Sequence, residues 1–152
     1  MKLDEIDKKL INLLQDNCRL THKQLSVKLH LSTTAIFERI KKLERNQLID
    51  RYVAIVNRKK IEKGFMVLCE IKLMQHTKNF LTKFELSVQA LAEVTECLHI
   101  TGDYDYLLKI HVKDMEAYRD FMVTKLTTLP HIGSTHSSFV ISEIKNETAI
   151  VI

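Results

Sequence analysis

The stretch Thr21–Ile49, THKQLSVKLHLSTTAIFERIKKLERNQLI, constrains this chain more than any other, because it writes two capped helices with almost no chain between them. Thr21 and Gln24 form a capping box ahead of a short helix carrying Leu25 and Leu29, and Ser32 can cap the next helix. Only about three residues are left for the turn, so the two helices must cross steeply, which is the layout of a helix-turn-helix. At roughly 100° per residue, Ile36, Ile40 and Leu43 fall on one stripe of the second helix, while Thr34, Glu38, Lys41, Lys42 and Arg45 gather on the opposite face. Such a helix docks by its apolar side and offers cations and hydrogen-bonding groups outward, as reading a DNA major groove requires.

Any amphipathic surface helix carries Lys and Arg on its wet face, so the neighbouring segments decide between the two readings. Before it, Asp4 and Asp7 flank the start of a helix whose Ile6, Leu10, Leu13 and Leu14 share a face, and Asp is favoured at a helix N-terminus. After it, Ile49–Asn57 (IDRYVAIVN), rich in β-branched residues, predicts a strand with Arg51 near its start. Three helices and a strand make a winged helix-turn-helix over residues 1–60, in which the third helix enters the groove and flanking cations hold phosphates. Ser32, Thr33, Thr34, Phe37, Glu38 and Lys41 are the candidates for the groove-facing part, with Lys42, Arg45 and Arg51 on phosphates. Arg39, at the margin of the apolar stripe, is placed to brace the fold instead.

Charge supports this division. Residues 1–60 hold 14 Lys+Arg against 7 Asp+Glu, whereas residues 61–152 hold 9 against 12, so the formal net charge of +4 conceals halves of +7 and −3. A field concentrated on one half attracts a polyanion by counterion release and leaves the other half free of that demand. Arg58, Lys59 and Lys60 close the basic half, and Ile61–Gly64 is the expected hinge; no Gly/Ser/Pro-rich linker separates the domains. A hydrophobic content of 45% with 28% charged residues suits a globular, soluble protein. No apolar run approaches the ~20 residues of a membrane span, and the N-terminal MKLDEIDKKL is no signal peptide, so a cytoplasmic protein is expected. Cys18, Cys69 and Cys97 form neither a CxxC pair nor a disulfide framework, and the last two read as buried strand residues. Walker, GxGxxG, HExxH and GxSxG signatures are absent, so no enzyme is expected. His99, His111, His131 and His136 match no common metal-ligand spacing, and neither metal nor cofactor is expected.

The second half, residues 61–152, alternates in a recognisable order. Phe65–Met74 predicts a strand, Phe80, Phe84, Val88 and Leu91 share a helical face, and Val94–Thr101 predicts a second strand. Gly102, Asp103, Tyr104 and Asp105 turn the chain into a third strand, Tyr106–Val112. Asp114 caps a helix with Met115, Tyr118, Met122, Leu126 and Leu129 on its buried stripe, and Thr135–Ile144 predicts the fourth strand. This β-α-β-β-α-β order is the ferredoxin-like arrangement, with both helices on one face of a four-stranded antiparallel sheet, and the whole chain is an α+β protein. The first strand is apolar in both phases, Phe65, Val67 and Ile71 in one and Met66, Leu68 and Met74 in the other. The helix-free face is therefore expected to be buried against another subunit, which also brings two DNA-reading helices into one assembly suited to a palindromic site.

The segments LDEIDKKLINLLQDNCRLTHKQLSVKLHLS, IFERIKKLERNQLIDRYVAIVN, and GDYDYLL followed by KDMEAYRDF resemble the Lrp/AsnC (leucine-responsive, feast/famine) regulators, in order and over essentially the whole chain. The resemblance implies a DNA-binding, oligomeric transcription regulator, dimeric and often octameric, with an amino-acid effector between dimers. It places the effector around the GDYD turn. There Gly102 permits close backbone approach, N–H groups of Gly102 to Asp105 hold a carboxylate, and Asp105 takes an α-ammonium, with Ser134, His136 and Ser138 contributed from a facing subunit. From its residues alone, GDYD reads first as an ordinary hairpin turn, and His136 as a ligand contact, a pH-sensitive interface group or a surface residue. Two positions depart from the family pattern: Thr33 stands where members often have Pro, and Gln47 where they usually have Gly, which moves the expected left-handed helix cap to Asn46. The alternative from a different class is an architectural protein that wraps or bridges DNA without a ligand.

Overall fold

The first three helices begin where local side-chain chemistry dictates. In the computed structural model, which describes residues 2–152, they are α1 (Glu5–Asp16), α2 (His22–Leu29) and α3 (Thr33–Arg45). Asp4 Oδ1 accepts the Asp7 N–H at 2.7 Å while the Asp7 carboxylate accepts the Asp4 N–H, and Thr21 with Gln24 makes the same reciprocal box on α2. Ser32 Oγ accepts the Ala35 N–H at 3.1 Å and starts α3. These bonds satisfy donors that have no partner inside a helix. His30 adopts a left-handed conformation (φ 53°) to turn the chain between α2 and α3. The helices close over a core of Leu10, Leu14, Leu25, Ile36, Ile40 and Leu43.

Two expectations for this part are corrected. The left-handed residue after α3 is Gln47 itself (φ 56°), not Asn46 (φ −90°). The Leu48 N–H bonds to the Leu43 carbonyl and the Gln47 N–H to that of Glu44, both at 2.9 Å, a Schellman closure that puts the strained conformation at the position where a glycine is usual. Asn46 instead donates its side-chain amide to the Lys42 carbonyl at 2.7 Å. The second correction is larger: residues 49–57 form no strand. An extended, β-branched segment becomes a strand only when another strand accepts its N–H and C=O groups, and none does so within one chain; Tyr52, Val53, Ile55 and Val56 are left exposed.

The chain divides into two compact units, Met1–Ile55 with Ile144–Ile152, and Val56–Glu143. The last residues join the helical unit, where Gln15 exchanges two hydrogen bonds with the Ile150 backbone at 2.7 and 2.8 Å.

The second unit contains β1 (Phe65–Leu73), α4 (Lys78–Gln89), β2 (Val94–His99), β3 (Tyr106–Val112), α5 (Met115–Thr124), a 3-10 turn at Leu126–Thr128, and β4 (Ile132–Phe139). The sheet is antiparallel in the order β2-β3-β1-β4. Val67, Cys69, Ile71 and Leu73 on β1 and Tyr106, Leu108, Ile110 and Val112 on β3 pack against Phe84 and Val88 of α4 and Tyr118 and Phe121 of α5. Both helices thus cover one face, and the register decides which phase of β1 is core.

β4 runs over residues 132–139 rather than 135–144, because its partner β1 begins at Phe65 and offers no backbone beyond the Val140 N–H to Met66 carbonyl bond. Cys69 is buried, but Cys97 is exposed, since β2 is an edge strand. On α5 the buried positions are Tyr118 and Phe121, while Met115 is exposed and Leu126 lies in the 3-10 turn after the helix has ended. No helix among the described residues is long and apolar enough to cross a membrane.

Candidate functional site

On α3, the docked stripe of Ile36, Ile40 and Leu43 fixes which residues face outward. Ser32, Thr33, Thr34, Phe37, Glu38, Lys41, Lys42 and Arg45 are all exposed, so the helix presents one continuous polar and cationic face. Lys41 lies 3.3 Å from Glu44, whereas Lys42 and Arg45 have no ion-pair partner among the described residues. Glu44 also accepts from the Tyr52 hydroxyl at 3.2 Å, and partial burial together with the Glu44 charge pushes that phenol up to about 12. Arg51 sits on the irregular segment that follows, exposed and loosely paired with Asp50 at 3.8 Å.

Arg39 does not join this face. Its Nη1 donates to Asp4 at 2.7 Å and to Asp7 at 2.5 Å, and Asp7 is 2% exposed. The bond from the Asp7 N–H, then Arg39, holds the Asp4 carboxyl below its usual value, and the same two carboxylates raise the guanidinium. One arginine thereby fastens the outward-facing helix to the N-cap of α1, as its place at the stripe margin implied.

In the second unit, cross-strand pairing lays out the helix-free face in rows. Leu98, Leu107, Glu70 and His136 form one row across all four strands, and Glu96, Lys109, Leu68 and Ser138 the next. Glu70 meets His136 Nδ1 at 3.1 Å and Lys109 meets Glu96 at 2.6 Å, while Met66, Leu68 and Leu107 are half-buried and Leu98 is exposed. Ser134 follows on β4 opposite Lys72.

At the edge of this face lies the GDYD turn. Gly102 is exposed at φ +125°, a conformation L side chains rarely adopt, although a Cβ there would meet nothing within 4 Å. Asp103 is exposed, and the Tyr104 ring stacks on His136 with centroids 6.1 Å apart. Asp105 is committed inside the chain: Oδ2 accepts the Leu73 N–H and Oδ1 meets His76 Nε2, both at 2.7 Å. Burial opposes its ionisation, but the Leu73 bond and His76 outweigh that and hold the carboxyl below its usual value. The structure therefore gathers Tyr104 and His136 with Glu70, leaves Ser134 opposite Lys72, and ties Asp105 to the end of β1. Glu70 and His76 were missed in the sequence, where Glu70 is a lone acid in an apolar strand and only the register shows what it faces.

Known protein families match both parts of the chain. Residues 3–44 match the AsnC-type helix-turn-helix domain and residues 66–150 the Lrp/AsnC ligand binding domain. The leucine-responsive regulatory proteins of Salmonella typhimurium and Escherichia coli K12 are each 37% identical over 150 residues, covering 99% of this chain and 92% of theirs. The crystal structure of a transcriptional regulator of Neisseria meningitidis in complex with L-Met superposes with a TM-score of 0.93 at 32% identity, covering 98% of this chain and 96% of that one. An AsnC family transcriptional regulator from Agrobacterium tumefaciens superposes equally well, also at 0.93 and 32%, over 97% and 96% of the two chains. With a helix-turn-helix whose third helix offers a cationic outer face, and a ferredoxin-like ligand-binding domain following it in the sequence, the chain belongs to the Lrp/AsnC family of DNA-binding transcriptional regulators.

Proposed function

We propose that this regulator binds specific duplex sites through α3 as a homo-oligomer, a dimer or a larger ring such as an octamer, and that an amino acid or related small metabolite bound between subunits changes its DNA affinity. Ser32, Thr33, Thr34, Phe37, Glu38 and Lys41 face the groove, and Lys42, Arg45 and Arg51 hold phosphates. The observation that carries the effector half is the cluster on the helix-free face, where the Tyr104 ring stacks on His136 and His136 meets Glu70, beside the exposed Gly102 turn. The Neisseria homologue bound to L-Met supports the ligand class. An amino acid offers a carboxylate that needs N–H donors and an ammonium that needs an anion. The backbone of Gly102, Asp103 and Tyr104 supplies the donors; Glu70 is the anion best placed to supply the charge, because Asp105 already spends both oxygens on Leu73 and His76. Asp105 then shapes the pocket by holding the turn against β1, and Ser134, His136 and Ser138 complete it from the sheet.

Subunit pairing follows from the same face. Met66, Leu68, Leu98 and Leu107 form an apolar patch that no helix of this chain covers, and Tyr52, Val53, Ile55 and Val56 are exposed on a segment lacking a strand partner. A second copy answers both needs.

Calorimetric titration of the full chain with each common amino acid tests the reading. At least one should bind the wild type and lose most of its affinity in Glu70→Gln and Gly102→Val, with DNA affinity in the absence of ligand unchanged in both. If none binds, the ligand-independent architectural role becomes the better account.

A further inference from the structure

Phe37 is the one large aromatic side chain on the outward face of α3, and it remains 40% exposed among threonines and charges. Apolar surface removed from water stabilises whatever covers it, so a partner that covers the exposed part of this ring gains affinity. The ring is also held in place. His22, the first residue of α2, packs edge-on against it with centroids 5.6 Å apart at 71°, and Lys41, one turn further along α3, sets its ammonium 5.8 Å from the ring centre. Phe37 therefore points outward as a fixed feature, on the first turns of the helix, where recognition helices meet base edges.

The chemistry narrows what such a ring can read. In the major groove every base edge presents donors or acceptors, for which a phenyl ring has no partner, and only thymine adds an apolar group, its C5-methyl. Lys41 beside the ring can reach a phosphate or a guanine edge, and Glu38, the next residue, can accept from a cytosine amino group. We propose that Phe37 is a specificity-determining residue that selects a thymine by covering its C5-methyl group, with His22 and Lys41 fixing the ring; this rests on the placement of α3 in the major groove proposed above.

Uracil substitution tests it, because replacing thymine by uracil removes that methyl and nothing else. Duplexes retained by the full-length protein are selected from a random pool, and each thymine of a retained site is replaced singly by uracil. Wild-type protein should lose about fourfold in affinity, the worth of one buried methyl group, at one thymine of each half-site and bind the other uracil duplexes like the parent. Phe37→Ala should bind the parent duplex more weakly and show no further loss at that thymine, while Phe37→Leu, which keeps an apolar side chain, should retain the sensitivity. The inference is overturned if wild type binds every uracil duplex as well as the parent, or if Phe37→Ala keeps the same methyl sensitivity, which would assign the contact to the methyl of Thr33 or Thr34. A pool from which no duplex is retained would instead contradict the broader placement of α3, a result separable from these two.

Discussion

Two side chains carry consequences beyond their own contacts. Arg39 reaches Asp4 and the nearly buried Asp7 at once, so removing one acid leaves a guanidinium partly desolvated and short of a partner. A hydrogen bond to a charged group contributes about 1.5–3 kcal/mol, and Asp7→Ala should destabilise the helical unit by that amount in denaturant unfolding. A change below about 0.5 kcal/mol would show that Asp4 alone suffices. His111 makes the second case. It is buried on the helix-free side of β3, with Arg58 Nη1 3.1 Å from its Nε2 and Arg58 in turn paired to Glu143 at 2.6 Å. Burial, then the Arg58 and Lys109 charges, hold the imidazole below its usual value. As acid is added below about pH 6.5, the unfolded chain takes up a proton that the folded chain refuses, so this stability is present above that value and is lost as pH falls toward the folded value. The loss in unfolding free energy between about pH 7.5 and about pH 5 should therefore be smaller in His111→Phe than in wild type; equal losses would remove His111 from the account.

At the scale of single elements, neighbouring positions on β1 predict opposite outcomes. Val67 is fully buried beneath the helices and Leu68 points to the uncovered face. Val67→Asp should abolish folding of the second unit, whereas Leu68→Asp should leave a folded protein that sediments as a smaller species. A Leu68→Asp protein that keeps the wild-type assembly would exclude this face as the subunit interface. On α3, Lys42→Ala and Arg45→Ala should each lower the salt slope of DNA binding by about 0.9, one phosphate contact apiece, and unchanged slopes would remove them from the interface. Which elements the sequence revealed follows the range of the interactions that make them. The caps at Asp4, Thr21 and Ser32 were legible because each bond joins a side chain to the backbone three residues on. The segment 49–57 was not, because a strand exists only beside another strand. The stacking of Tyr104 on His136 and the pairing of Glu70 with His136 depend on the registers of β3 and β4 against β1, and no local pattern reports them.

For the whole molecule, the division into a cationic helical unit and a sheet unit with an uncovered face separates the two tasks of a ligand-responsive regulator while one chain joins them. Coupling between them must be reciprocal, since an effector changes DNA affinity only if it binds the DNA-competent and incompetent states unequally. The cluster of Tyr104, His136 and Glu70 lies on the uncovered face proposed above to receive a second copy, so ligand and assembly are expected to respond to each other. The most direct measurement is fluorescence anisotropy of a selected, labelled duplex titrated with the full-length protein at rising concentrations of the amino acid found by calorimetry. The account predicts that the apparent Kd moves progressively and saturates with the amino acid, by a total of about 5- to 150-fold. Superimposable titrations with the amino acid absent and saturating would contradict it.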